Sequence, residues 1–179
     1  MRQPLAFLAI CLLPSVAFAG PDNFKTGPVF EAFGPVATVA GAQPLSASSE
    51  FKISFDAAKA SESEALNRTL KSAARFINMH AAAGVDPDNI DVAVVVHGGA
   101  AFDLLTAEPF AARRDGAANP NAALINALTD HGVRIILCGQ TAAYRDIRAD
   151  DLLPGVEMAL SAMTAHAQLQ QAGYTLNPF

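Results

Sequence analysis

Two cysteines occur in the 179-residue sequence, Cys11 and Cys138. Cys11 falls in a stretch that reads as a cleavable export signal, so processing leaves Cys138 without an intramolecular partner. Exported small domains ordinarily use cysteines in pairs. A leftover thiol forms an intermolecular bridge, reacts, or is simply buried. Cys138 follows Val133 to Leu137, an apolar stretch broken by Arg134, and precedes Gly139-Gln140-Thr141. If a helix begins there, its free N–H groups and dipole favour the thiolate, which is the nucleophile and sulfur acceptor. Gly139 removes side-chain bulk beside the sulfur, so that a second sulfur can approach. Thr141 offers a hydroxyl donor and a cap for a short helix over 142–147. An inert core cysteine is the competing reading, since free cysteine is among the most buried residue types.

A second marked tripeptide, His97-Gly98-Gly99, also follows an apolar run. His97 can stabilise a thiolate or persulfide if its strand neighbours that of Cys138. It can equally cap its own strand and bond backbone. Gly98-Gly99 before a short helix can hold an anion on backbone N–H groups. It can also be no more than a tight strand-to-helix turn. The spacing lacks the GxGxxG pattern and downstream acid of a dinucleotide site. His80, His97, His131 and His166 show no metal-ligand spacing, so no metal and no cofactor is expected. Asp103 and Glu108 read as isolated solvated acids, and Arg113-Arg114 as a solvated doublet able to attract an oxyanion. No GxSxG elbow is present, which excludes an α/β-hydrolase on motif grounds.

These residues need elements to position them. Phe51, Ile53 and Phe55 alternate with polar residues, the period of a strand. Ser61 to Glu64 read as a helix start, and Leu66, Leu70, Ala73, Ile77 and His80 fall on one helical face. Gly84 ends that helix. Ile90 to Val96 is β-branched and almost uninterrupted, as in a central parallel strand covered on both faces. A long loop over 98–120 follows. Asn121 to Asp130 reads as a helix and Val133 to Leu137 as a second buried strand. Pro154 is expected to open a last long helix, 155–171, with Val156, Leu160, Met163 and Ala167 facing inward. Tyr174-Thr175-Leu176 can add an edge strand. Strands alternating with helices predict an α/β domain with a small, mostly parallel sheet and helices on both faces. Ligand sites in such sheets lie outside the carboxyl ends of the strands, where both tripeptides fall.

At the amino end, Arg2 precedes the apolar run Leu5 to Leu13, Pro14 breaks it, and Ala17-Phe18-Ala19 offers a cleavage pattern before Gly20. The organisation expected is a signal peptide at 1–19, an extended arm at 20–50 and one α/β domain at 51–179. Removing nineteen residues leaves 160, a normal size for one core. Loss of Arg2 lowers the basic count from 12 to 11 against 17 acids, a mature charge of −6. Nothing in that balance attracts nucleic acid or anionic lipid. No membrane contact is expected once the signal is removed, and the expected location is the periplasm. A hydrophobic share of 51% leaves apolar surface for self-association to cover.

Several of these segments resemble one family. His131-Gly132-Val133, Ile136-Leu137-Cys138 and the small pair Ala142-Ala143 resemble the cysteine segment of the DsrE/TusD-like sulfur-relay family. Val94-Val95-Val96-His97-Gly98 and the ending Gln170-Gln171-Ala172-Gly173-Tyr174 are similar to the wider family layout. Together with the signal pattern, they resemble most the exported DsrE/DsrF-like branch. The resemblance spans about Phe51 to Phe179. It implies a small α/β DsrE-like fold assembling as trimers or hexamers. It also implies that Cys138 accepts sulfur as a persulfide, as a sulfur carrier or sulfurtransferase serving a donor or acceptor protein. The alternative expectation is a non-catalytic oligomeric module that binds a small ligand or a protein at the strand-end crevice.

Overall fold

The computed structural model describes residues 20–62 and 64–178; the expected signal peptide, 1–19, lies outside the described residues. Among the described residues, five strands and five α-helices follow one another. They are β1 (Phe51–Ala57), α1 (Arg68–Ala82), β2 (Ile90–Val96), α2 (Ala107–Arg113), α3 (Ala122–Asp130), β3 (Arg134–Cys138), α4 (Gly139–Tyr144), β4 (Val156–Ala159), α5 (Ala162–Gln171) and β5 (Thr175–Asn177). The strands form one sheet in the order β4-β3-β2-β1-β5, and every pairing is parallel. This is the α/β architecture that the alternation of patterns predicts.

The sheet's centre is β2, whose valines are buried on both faces; of its seven residues only Asp91 is exposed. On one face, Phe55, Val92, Val94, Val96, Ile135 and Leu137 meet Leu70, Ala73 and Ile77 of α1 and Leu124, Ile125 and Leu128 of α3. On the other, Ala93, Val95 and Ile136 pack under Ala165 and Leu169 of α5 alone. Each large aliphatic side chain so buried contributes about 1.5–3 kcal/mol. The thin, alanine-rich second layer leaves the strand ends on that face only partly covered. No helix among the described residues is long and apolar enough to cross a membrane.

Three local expectations are overturned. Residues 155–171 are not one helix: Val156–Ala159 is a strand paired with Ile135–Cys138, and Ser161 then caps α5 by accepting from the Thr164 amide at 3.0 Å. Leu160 and Met163 point to solvent, and Ala165 and Leu169 take the inward positions. Helix α1 starts at Asn67 rather than at Ser61 to Glu64, because the Asn67 carboxamide oxygen accepts from the Thr69 and Leu70 amides. Ser61 is occupied elsewhere, donating from its amide and hydroxyl to Asp103 at 2.9 and 2.8 Å. Asp103 is therefore no solvated acid; it is fully buried and also accepts from Asn67 Nδ2 at 2.8 Å.

The segment before β1 packs on α1 through Asn78. This buried side chain accepts from the Val29 and Phe30 amides and donates to the Phe30, Phe33 and Gly34 carbonyls. Phe30 is buried in the larger core cluster, and Lys25 and Val36 form an antiparallel bridge.

Candidate functional site

Cys138 is the last residue of β3 and the N-cap residue of α4. Helix α4 thus begins one residue after the sulfur, and Thr141 lies within it rather than capping it. Around the sulfur stand the Thr141 hydroxyl and the backbone N–H groups of Thr141, Ala162 and Gln140. Ala162 is the first residue of α5, so the starts of two helices converge on one thiol. Burial pushes the Cys138 thiol up, but the Thr141 hydroxyl and these three amides outweigh it and hold the pKa below its ordinary value. The residue retains 6% exposure, and it is the free cysteine among the described residues.

Gly139 has a different role from the one its sequence position suggests. A Cβ there would lie 2.6 Å from the Ala159 carbonyl oxygen and 3.2 Å from that of Leu160. The glycine lets α4 start against the β4–α5 connection, which is what brings the Ala162 amide to the sulfur. Gln140 reinforces the same junction, its side-chain amide donating to the Leu160 carbonyl at 3.3 Å. The Gly98 amide donates to Thr141 Oγ1 at 3.2 Å and so is engaged within the protein rather than free for an anion. Gly98 adopts a φ of +56°, and a Cβ there would meet the Ala58 carbonyl oxygen at 2.9 Å.

His97 neighbours the cysteine by register. Val96 pairs with Leu137, so His97 and Cys138 are the next residues on adjacent strands. The His97 backbone stays extended, with φ −150° and ψ −176°, so its side chain keeps the alternation and shares the α5 face with Val95, Ile136 and Cys138. Among the described residues, the ring bonds the Asp56 carboxylate rather than the sulfur or backbone. Its Nε2 lies 3.1 Å from Asp56 Oδ2, and His166 Nε2 of α5 lies 2.9 Å from Asp56 Oδ1. Partial burial pushes the Asp56 carboxyl up, but hydrogen bonds from His166 and His97 outweigh it and hold the pKa below the ordinary value. Sequence reasoning missed Asp56 and His166, which stand 41 and 69 positions from His97 and join it only through the sheet. The one available signal was Asp56 at the end of a period-two strand. Among the described residues, no set of three or more His, Cys, Asp or Glu side chains is arranged to hold a metal ion.

A five-stranded parallel sheet with a depressed-pKa thiol where its third strand meets a helix defines the class: a small α/β protein with a strand-end cysteine. The family model for the DsrE/DsrF-like family matches residues 51–178, and the chain belongs to that family. Two solved structures share the fold. A protein of unknown function, MTH1491 from Methanobacterium thermoautotrophicum, is 22% identical with a TM-score of 0.54, over 73% of this chain and all of that one. The ychN protein from E. coli is 21% identical with a TM-score of 0.54, over 72% of this chain and 99% of that one. No curated protein matches the chain.

Proposed function

We propose that this protein is a sulfur carrier or sulfurtransferase in which Cys138 holds sulfur as a persulfide. The observation that carries the reading is the place of the thiol: Cys138 ends β3 and is the N-cap residue of α4, where the Thr141 hydroxyl and nearby backbone amides hold its pKa below the ordinary value. A thiolate so held attacks the outer sulfur of a persulfide donor, RS–SH. The donor's S–S bond breaks, a new one forms at Cys138, and the donor leaves as RS⁻. One sulfur atom moves without net oxidation. Membership of the DsrE/DsrF-like family supports the same chemistry, since sulfur relay is what the cysteine segment's resemblance implies. The signal pattern at 1–19 supports action in the periplasm, on a donor or acceptor protein met there. Exposed apolar side chains along β4 and α5 support a homo-oligomer, a trimer or hexamer by family resemblance, and the net charge of −5 argues against a nucleic-acid partner.

Intact-mass measurement after incubation with polysulfide tests the reading. The expected product is an adduct of one sulfur atom, removed by dithiothreitol and missing from a Cys138→Ser protein. Absence of any adduct, with a thiol pKa at the reference value of about 8.5, would overturn it. The burial of Cys138 favours a second reading, a non-catalytic module binding a small ligand or protein. Full biological activity in the Cys138→Ser protein would select that one.

A further inference from the structure

Beside the thiol, three elements bring Asp56, His97 and His166 together at the carboxyl edge of the sheet. Asp56 is the penultimate residue of β1, His97 follows β2, and His166 comes from α5. Both rings reach the same carboxylate through Nε2, at 3.1 and 2.9 Å. A carboxylate bonded to Nε2 keeps a proton on that nitrogen and leaves Nδ1 as the basic one. The two Nδ1 atoms then differ. That of His166 is buried without a hydrogen-bond partner. That of His97 belongs to a side chain one-third exposed, in a residue whose strand position is next to Cys138.

Resting on the sulfur-carrier reading, we infer that His97 is the proton-exchanging group for sulfur transfer at Cys138. Asp56 and His166 are its positioning residues. A persulfide at Cys138 is discharged by an acceptor thiol, R′SH, whose thiolate is the attacking species. His97 Nδ1 takes the proton from R′SH, and R′S⁻ attacks the outer sulfur of Cys138–S–SH. The S–S bond at Cys138 breaks, R′S–SH forms, and Cys138 departs as the thiolate that its amides stabilise. On reloading, the imidazolium returns its proton to the RS⁻ released by the donor. Sulfur, protons and electrons balance over the cycle with no oxidant or reductant. The substrates this assigns are small or protein-borne thiols and their persulfides.

The groups that face His97 are few. Asp56 comes from β1, His166 from α5 and Cys138 from the β3–α4 junction. On the turn after His97, Asp103 is occupied by Ser61 and Asn67.

Single-turnover discharge of polysulfide-loaded protein to free cysteine, followed from pH 6 to 10, tests the inference. His97→Gln keeps a donor for Asp56 but takes no proton. It is expected to slow discharge at neutral pH by about a hundredfold. The deficit should close above the acceptor's own pKa, about 8.5, where the thiolate needs no base. Asp56→Asn should give a smaller deficit with the same pH shape, and it stands in if His97→Gln does not fold. Wild-type discharge rates at every pH, or one constant deficit across the range, would overturn the inference while leaving the carrier intact. Wild-type protein that never takes up sulfur would overturn both.

Discussion

The Gly98 amide donates to Thr141 Oγ1 at 3.2 Å, and this bond fixes what the hydroxyl can do. The Thr141 hydroxyl anchored in this way lowers the Cys138 pKa. The turn after β2 thereby contacts a residue that lowers the pKa of the thiol at the end of β3. Thr141→Val keeps the shape and removes the hydroxyl. A hydrogen bond to a charged group is worth about 1.5–3 kcal/mol, so the thiol pKa should rise by about one to two units. The pH dependence of iodoacetamide alkylation reads this directly, and an unchanged midpoint would show that the amides alone hold the thiolate.

Gly139→Ala tests the neighbouring contact. The added Cβ meets backbone, the Ala159 carbonyl at 2.6 Å, which has no flexible end to swing away. Either α4 or the β4–α5 connection must shift, at a cost of about 1–3 kcal/mol. Because that shift draws the Ala162 amide from the sulfur, thermal stability should fall and the thiol pKa should rise together. A drop in melting temperature with an unchanged thiol pKa would detach the glycine from the site.

What could be read in advance was short-range. Ile90–Val96 declares a central strand by its β-branched run, and Cys138 declares itself by being left without a partner. Strand β4 was hidden because Val156-Glu157-Met158-Ala159 is too short to show its period before α5 begins, and Met and Ala also suit a helix. Ser61 and Asn67 are both good capping types; the choice is made by Asp103, which engages Ser61 from a distant turn. Asp56 and His166 were invisible as a pair, since 110 positions separate them and only the parallel register unites them. The carboxylate is therefore a property of the fold rather than of any motif.

Asn78 makes five hydrogen bonds to the segment that precedes β1. Asn78→Ala removes them at once. Left unpaired, buried amides cost about 1–3 kcal/mol each, so release of the arm relieves more than its retention. Limited proteolysis should cut the variant between residues 25 and 45 at least tenfold faster than wild type, leaving a resistant fragment that contains the sheet. Equal cleavage rates would mean that Phe30 in the core holds the arm by itself.

Acid should weaken the fold partly through Asp56. His166 and His97 hold this carboxyl below its ordinary pKa against the opposing effect of partial burial. Its folded pKa thus lies below the unfolded value of about 3.9. The stabilisation is complete above the unfolded value and is lost as pH falls through the folded one. The side chain is 42% exposed, so solvent screening limits the effect to below about 1 kcal/mol. Urea titrations of wild type and Asp56→Asn should differ at pH 6, and the difference should shrink progressively as pH falls below about 3.9. A difference that persists undiminished at pH 2.5 would assign the effect to packing rather than charge.

Among the described residues, the outer strand β4 has β3 on one side and no further strand beyond it in the sheet. Such an edge offers free backbone groups to another chain. Around it Met158, Leu160 and Met163 stand exposed, the last two by 72% and 80%, where the sequence pattern would have turned Leu160 and Met163 inward. An apolar run at a sheet edge is a place for a partner, and in a homo-oligomer that partner is another copy of the chain. Leu160→Glu with Met163→Glu puts two charges there without touching the core, since neither side chain is buried. Light scattering of the full chain at micromolar concentration should give an oligomer for wild type and a smaller species for the double variant, with the melting transition of the domain retained. The Leu160 carbonyl also receives the Gln140 side chain, so assembly through this edge would bring a second copy close to the thiol. Wild-type protein that runs as a strict monomer would refute the assembly outright. An oligomer that survives both glutamates would move the interface elsewhere on the surface.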